Sequence, residues 1–119
     1  MSKIKINQPI LDMYGSQLER EKLRKTENEP KEMELLTLRS VCMMNLLIPK
    51  NTIYGPQGNV IIVGDTDIEK FEKWDLYKKF RDAVDGEVNL SPEEVILLTK
   101  IVAENEVQLI AGQVRDMIQ

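Results

Sequence analysis

The chain has 119 residues, of which 42% are hydrophobic and 30% charged, and its formal net charge is −4. This size and composition predict one domain over residues 1–119, with a single core and no second lobe to enclose a large active site. The excess of 20 acidic over 16 basic residues argues against nucleic acid as a partner, because no overall attraction draws the protein to a phosphate backbone.

Missing residue types exclude several kinds of catalytic and metal site. The sequence contains no histidine and a single cysteine, Cys42. It therefore lacks Ser-His-Asp and Cys-His nucleophilic systems, histidine-ligated zinc and every site that needs several cysteines. Cys42 lies in the apolar run Val41-Cys42-Met43-Met44, which favours a buried, inert thiol in a reducing compartment. No cofactor, metal site or catalytic residue is predicted.

Hydropathy indicates where the protein resides. No stretch reaches the roughly 18 continuous apolar residues of a membrane span, and the first seven residues lack the apolar run of a secretory signal. We therefore expect a soluble protein of the cytoplasm that makes no membrane contact.

The first predicted elements are short and extended. Residues 3–6 alternate between polar and apolar, Pro9 interrupts, and residues 10–16 form an apolar stretch that ends at a glycine turn. This pattern predicts a short strand or hairpin at a sheet edge. In residues 19–34, eleven of sixteen side chains are charged, which predicts a flexible segment, with a functional charge patch as the alternative.

The first predicted helix covers residues 37–48. Thr37 is suited to cap its start and Pro49 stops it. Apolar residues lie on almost every side of this helix. One face carries Leu38, Val41, Cys42 and Leu46, and the other carries Met43, Met44 and Leu47. Such a helix is either central to the core or covered by another molecule, with the methionines lining a groove for a partner.

Residues 52–67 have two interpretations. Strand-forming residues at 52–54 and 60–63 flank the turn Gly55-Pro56-Gln57-Gly58, which predicts a β-hairpin followed by a helix cap within residues 65–67. Alternatively, Asp65 and Asp67 after a strand are typical of magnesium-dependent aspartate phosphotransferases. That chemistry needs further carboxylates and a lysine from repeated strand–helix units, which the sequence does not supply. Both aspartates are therefore expected to be structural.

The next predicted helix runs from about Asp67 to Asp85. Its apolar residues recur three or four positions apart and are interpreted as one buried face: Ile68, Phe71, Trp74, Tyr77, Phe80 and Val84. On the opposite face, Glu69 pairs with Lys73 and Asp75 with Lys79 at i,i+4. This pairing favours a solvated surface over a nucleic-acid-binding one.

Two more helices are predicted towards the C-terminus. Ser91, Pro92 and Glu94 form a capping-box signature for the first of them. The second carries an amphipathic stripe: Val107, Ile110, Ala111, Val114, Met117 and Ile118. Together the elements predict an α+β fold that is mainly α, with about four helices, a short N-terminal strand or hairpin, and a second β-hairpin near residues 52–63.

Some of these stretches resemble a known group of proteins. They are KIKINQPILDMYG, LTLRSVCMMNLL, the lysine-rich aromatic helix, and VNLSPEEVILLTKIVAENEVQLIAGQVRDMI. The chain resembles small proteins encoded by bacteriophages and prophages, most of which have no assigned role. The resemblance covers roughly half of the chain. The charged residues 19–34 and the hairpin depart from that pattern. The resemblance implies a phage accessory or assembly protein that is not an enzyme.

The favoured function is therefore a non-enzymatic phage-type accessory protein that acts through protein–protein interaction, as an assembly chaperone or adaptor. Its partner would be another phage or host protein, or a second copy of the chain. The contact surface is predicted on two helices and comprises Met43, Met44, Leu47, Ile110, Val114 and Met117. A small nucleic-acid-binding regulator is the alternative, and a magnesium-dependent phosphotransfer enzyme ranks third.

Overall fold

A computed structural model of the chain describes residues 2–21, 28, 30, 32–48, 53–54, 56–58, 60–62 and 64–119. Within this part the fold is α+β and mainly α, as predicted. The elements in chain order are β1 (Ser2–Lys5), β2 (Glu19–Glu21), β3 (Met33–Leu35), α1 (Leu38–Leu47), β4 (Ile53–Tyr54), β5 (Val60–Ile62), α2 (Asp67–Arg81), β6 (Glu87–Leu90), α3 (Pro92–Asn105) and α4 (Gln108–Ile118).

The predicted N-terminal strand is present as β1, and it pairs with β6 rather than within a local hairpin. The two strands run antiparallel, with Ile4 opposite Val88. Ile4, Val88 and Leu90 are buried, whereas Lys3 and Asn89 are exposed. Successive side chains of both strands thus point alternately to the core and to solvent, as in any sheet with one buried face. β6 was not predicted, although Glu87-Val88-Asn89-Leu90 alternates between polar and apolar residues over the same length as residues 3–6.

Both ends of the charged segment 19–34, which was predicted to be flexible, take part in a strand pair. Its first residues form β2 and its last ones contribute to β3, and Arg20 lies opposite Glu34 in this antiparallel pair. The two ends pair because backbone hydrogen bonds and opposite charges on facing residues stabilise the ladder. Residues 22–27, 29 and 31 of the segment lie outside the described part of the chain.

The predicted hairpin near residues 52–63 is confirmed where the structure describes it. β4 and β5 are antiparallel, with Ile53 opposite Ile62. Gly58, in the connecting turn, has a φ of +79°, which glycine adopts without the steric cost that a Cβ would impose. Thr52 and Val63, at the predicted ends, lie outside the described residues.

α2 is shorter than predicted, since it ends at Arg81 with Asp82 as its C-cap. Of the predicted buried face, Phe80 is buried and Tyr77 packs against the core, but the prediction is wrong for the other four residues. The buried residues of α2 are Lys73, Leu76 and Phe80, whereas Ile68, Phe71, Trp74 and Val84 are exposed. Residues three apart are separated by about −60° around a helix, so a run of such steps winds around the axis instead of following one face.

The core lies between the helices and the inner face of the β1–β6 sheet. α1 packs against α2 and α3, and α3 packs against α4. The fully buried side chains include Phe80, Ile6, Ile10, Leu36, Leu38, Leu76, Leu90, Leu98, Val41, Val102 and Val114. Among the helices that the structure describes, none is long and apolar enough to span a membrane.

The extended residues 6–11 tie these elements together through backbone hydrogen bonds. At the start of α1, Leu38 N–H donates to the Gln8 carbonyl at 2.9 Å and Arg39 N–H to the Ile6 carbonyl at 2.8 Å. The side-chain amide of Gln113 on α4 accepts from Leu11 N–H at 2.8 Å and donates to the Leu11 carbonyl at 2.7 Å. The N-terminal segment therefore holds the first and last helices of the chain in place.

The capping box predicted at residue 91 is confirmed. Glu94 N–H donates to Ser91 Oγ at 3.2 Å, and Ser91 N–H donates to Glu94 Oε1 at 3.0 Å. Pro92 occupies the first turn, where its missing N–H leaves no donor unsatisfied.

Ser91→Ala should lower the free energy of unfolding by about 1 kcal/mol, because it removes the acceptor for the Glu94 N–H. Urea denaturation followed by circular dichroism measures this. Glu93→Ala, at an exposed position of the same turn, is the control and should cost less. If Ser91→Ala has the same free energy of unfolding as the unmodified protein, the Ser91 cap contributes nothing to stability.

Candidate functional site

An open groove of about 320 Å³ runs along the outer side of α1. It is lined by Glu34, Thr37, Arg39, Ser40, Met43, Met44, Leu47 and Tyr77, and is called the methionine groove below. Its apolar part comes from one stretch of α1, where Met43 and Met44 are half-buried and Leu47 is 49% exposed. The opposite face of α1 is buried in the core, so the same helix contributes side chains to the core and to the groove.

The start of α1 forms the polar end of the groove. Ser40 N–H donates to Thr37 Oγ1 at 3.2 Å, and Thr37 N–H donates to Ser40 Oγ at 2.9 Å. Arg39 donates from Nη2 to the Arg81 carbonyl at 2.7 Å, which links this end of α1 to the end of α2. The capping hydroxyls are thus engaged with the backbone, and the rim carries one carboxylate and one guanidinium, from Glu34 and Arg39.

Tyr77 of α2 forms the far wall of the groove. The rings of Tyr77 and Trp74 stack with centroids 5.3 Å apart. The Arg81 guanidinium lies 5.5 Å from the centre of the Trp74 ring and 5.9 Å from that of Tyr77. These contacts restrict the rings, so a ligand that packs on Tyr77 meets an ordered surface.

A charged network supports the groove from behind. Arg20 on β2 makes a bidentate pair with Glu106, with Nη2–Oε1 at 2.8 Å and Nη1–Oε2 at 2.9 Å. The amide of buried Asn45 on α1 donates to Glu106 Oε2 at 2.8 Å. Arg20 Nη1 also lies 3.3 Å from the sulfur of Met44. The network therefore fixes the backbone and side chain of α1 where the groove is most apolar.

The environment of Glu106 favours its charged form. Burial raises the pKa of this carboxyl, but the hydrogen bonds from Arg20 and Asn45, together with the Arg20 charge, outweigh burial and hold the pKa below its usual value of 4.5. Its side chain is 7% exposed. Near neutral pH the network therefore contains a carboxylate.

The six residues predicted to contact a partner do not form one surface in the structure. Met43, Met44 and Leu47 lie together in the methionine groove. Ile110 and Val114 are buried in the core, and Met117 packs against it. Ile110 and Val114 therefore cannot contribute to an exposed contact surface, because α4 turns its apolar stripe towards the rest of the fold.

Sequence reasoning missed Tyr77 as a groove residue, because it was assigned to a buried face of α2. The network behind the groove was missed as well. Asn45 offered a signal, since it is a polar residue within an apolar helical run and a buried amide needs hydrogen-bond partners. Its partner Glu106 lies far away along the chain, so the pairing itself had no local signature.

Asp65 has a structural contact of its own. Lys73 Nζ lies 2.9 Å from each carboxylate oxygen of Asp65 and donates to the Ile48 carbonyl at 3.2 Å. The Lys73 and Asp65 side chains are both buried. The cap of α2 is Thr66, whose hydroxyl accepts from Glu69 N–H at 3.2 Å, while Asp67 is exposed. The two aspartates therefore occupy different environments.

The described residues contain neither a metal-binding cluster nor a reactive thiol. In that part of the chain, no group of three or more His, Cys, Asp or Glu side chains is placed to hold a metal ion. Cys42 is buried, and burial raises the pKa of its thiol to about 12. The thiol is thus protonated at neutral pH, as an inert core cysteine should be.

Comparison of the chain with protein families, curated proteins and solved structures found no significant match. The methionine groove and its supporting network must therefore be interpreted from their own chemistry.

Glu106→Gln should lower the free energy of unfolding at pH 7 by about 2 kcal/mol, because the hydrogen bonds from Arg20 and Asn45 lose their charged acceptor. Since the folded-state pKa of Glu106 is lowered, its contribution is complete above pH 4.5 and declines as the pH falls through the folded pKa. Urea denaturation at several pH values should show the difference between variant and unmodified protein shrinking in acid.

Glu104→Gln is the matched control, because Glu104 lies two residues earlier, in the last turn of α3, and is exposed. It should change stability little at any pH. A Glu106→Gln deficit that persists unchanged at low pH would contradict the assignment of a charged network.

Asp65→Asn should destabilise the protein by about 3 kcal/mol, because it leaves the buried Lys73 ammonium without a compensating charge. Asp67→Asn is the control and should cost at most about 1 kcal/mol, through its effect on the helix dipole. Thermal denaturation compares the two variants. Equal effects would mean that the Asp65–Lys73 pair contributes nothing to stability.

Proposed function

We propose that this protein is a non-enzymatic adaptor or assembly chaperone, of the accessory type that phages and prophages encode, and that it binds a segment of a partner protein in the methionine groove. The partner is another phage protein or a host protein, and binding takes place in the cytoplasm of the host cell. The phage assignment depends on the resemblance of the sequence, whereas the mode of binding is inferred from the groove.

The observation that carries the proposal is the exposure of apolar side chains on the outer side of α1. Leu47 is 49% exposed there, and the half-buried Met43 and Met44 line the same open groove, with Met43 also packing against the core. Methionine side chains are unbranched and polarisable, so they adapt to partners of different shape. Exposed, contiguous apolar side chains are typical of protein-binding surfaces.

The dimensions and chemistry of the groove suit an amphipathic helix. Pockets that bury ligand groups start at about 300 Å³, so a groove of about 320 Å³ accommodates a few apolar side chains rather than a large cofactor. A helix presents such side chains at i, i+3 and i+4. Glu34 and Arg39 on the rim can pair with charges at the edge of its apolar face.

The nucleic-acid-binding alternative has less support. Several basic residues of α2 are already paired with carboxylates: Lys73 with Asp65 at 2.9 Å, Lys79 with Glu94 at 2.7 Å, and Arg81 with Asp82 at 2.8 Å. These pairs reduce the positive charge that a phosphate backbone would need. The residues around the groove carry both signs of charge.

Leu47→Lys and Met44→Lys should each weaken partner binding at least about tenfold, because they place an ammonium in an apolar contact. Tagged protein, expressed in infected or lysogenic cells, is recovered and its co-purified proteins are identified and quantified. The partner should be retained by the unmodified protein and lost from both variants. Leu47 is the cleaner site, because its side chain is half exposed and its replacement does not open the core.

Leu109→Lys is the matched control, since Leu109 is similarly exposed but lies on α4. It should retain the partner. Loss of the partner from this control alone would move the binding site to α4. A shift of DNA or RNA fragments at about 0.15 M salt, without any groove-dependent protein partner, would favour the regulator instead.

A further inference from the structure

The side of α2 that faces away from the core is apolar at its centre. Ile68 is 71% exposed, Phe71 68% and Trp74 45%. Soluble proteins rarely expose adjacent large aromatic residues without a partner. These three residues lie outside the set that lines the methionine groove, and they are called the outer face of α2 below.

Charges flank this face in a definite order. The first turn of α2 is acidic, with Asp67 and Glu69, and its last turn is basic, with Lys78, Lys79 and Arg81. Asp67, Phe71, Trp74 and Lys78 are separated by four, three and four positions, which places them along one line of the helix. That line therefore has a negative end, an aromatic centre and a positive end.

We propose that two copies of this chain form a symmetric dimer in which the outer faces of their α2 helices pack antiparallel about a two-fold axis. In this register Phe71 packs against Trp74 of the second copy, and Trp74 against its Phe71. Asp67 then lies opposite Lys78 of the second copy, and the two-fold axis repeats each contact.

The helix dipoles favour the same antiparallel direction as the charges at the two ends of this line. Antiparallel packing sets the positive end of each helix dipole beside the negative end of the other. Parallel packing would instead place Asp67 against Asp67 and Lys78 against Lys78 of the second copy, so this line of α2 is self-complementary only when the helices are antiparallel.

The aromatic centre is held rigid before association. Trp74 stacks on Tyr77 and lies under the Arg81 guanidinium. An ordered side chain loses little conformational entropy when it is buried, which favours its use as an anchor. Lys78 contacts Asp75 of its own helix at 3.4 Å, but an exposed pair of this kind is weak and can be exchanged for contacts across the dimer.

The surface involved implies a weak dimer. The exposed parts of two Phe71 and two Trp74 side chains amount to several hundred Å² at most, whereas a stable interface buries about 1,600 Å². We expect a dissociation constant of roughly 10 to 100 µM. The dimer would form at high local concentration and would leave the methionine groove of each copy open.

Trp74 provides a direct signal for this interface because it is the single tryptophan of the chain. Its fluorescence emission should shift to shorter wavelength as the protein concentration rises from about 1 µM to about 500 µM. Sedimentation velocity over the same range should show conversion from monomer to dimer. Phe71→Glu should abolish both changes, whereas Ile96→Glu, at a similarly exposed position of α3, should leave them intact.

A charge exchange tests the direction of packing. Asp67→Lys and Lys78→Asp should each weaken dimerisation about tenfold, because each creates two repulsive pairs. The double variant, Asp67→Lys with Lys78→Asp, should recover most of the affinity, since the opposite charges face each other again. Circular dichroism checks that α2 remains helical in all three variants.

A protein that stays monomeric at about 1 mM would refute the proposal. A dimer whose double variant is as weak as the single ones would refute the antiparallel register. Leu47→Lys should dimerise like the unmodified protein, because the groove is separate from the outer face. Loss of partner binding and loss of dimerisation are thus measured by different variants.

Discussion

Buried peptide groups need hydrogen-bond partners, and residues 6–11 find theirs on several separate elements. Ile6 N–H donates to the Gly86 carbonyl at 2.9 Å, Ile10 N–H donates to the Leu36 carbonyl at 3.0 Å, and the Ile10 carbonyl accepts from Leu18 N–H at 2.8 Å. The Ile6 and Gln8 carbonyls accept from the first turn of α1, whose N–H groups have no partner within the helix. The orientation of α1, and with it the position of the groove, therefore depends on this extended segment.

The division of α1 between core and surface explains much of the remaining architecture. Its inner side fills the core with Leu38, Val41 and Leu46, so the helix cannot rotate to bury its methionines. Asn45 fixes it further, because its amide donates to the Val41 carbonyl and to Glu106 at 2.8 Å each. An apolar surface on a helix that is held on its other side retains its shape in the absence of a ligand. Such preorganisation lowers the entropic cost of binding.

The features that could be predicted from the sequence are those with local causes. The capping box at Ser91 needs residues three apart, and the fold class follows from the helical and strand patterns. The assignment of α2 failed because a run of three-residue steps does not follow one face, so Lys73 is buried while Phe71 is exposed. The network of Arg20 and Glu106 joins residues 86 positions apart, and no local pattern encodes that pairing. The methionines of the groove were recognisable, but the wall that faces them was not.

The contacts of Lys73 have a consequence for how this chain can vary. Its ammonium binds the Ile48 carbonyl at the end of α1 and the Asp65 carboxylate just before α2, so one side chain fixes both ends of the connection over residues 49–64. With the ends held, the entropic cost of closing a loop grows only slowly with its length. The β4–β5 hairpin is thus a natural insertion point, at which a longer loop, a reporter peptide or a small domain could be accepted while α1 and α2 keep their packing.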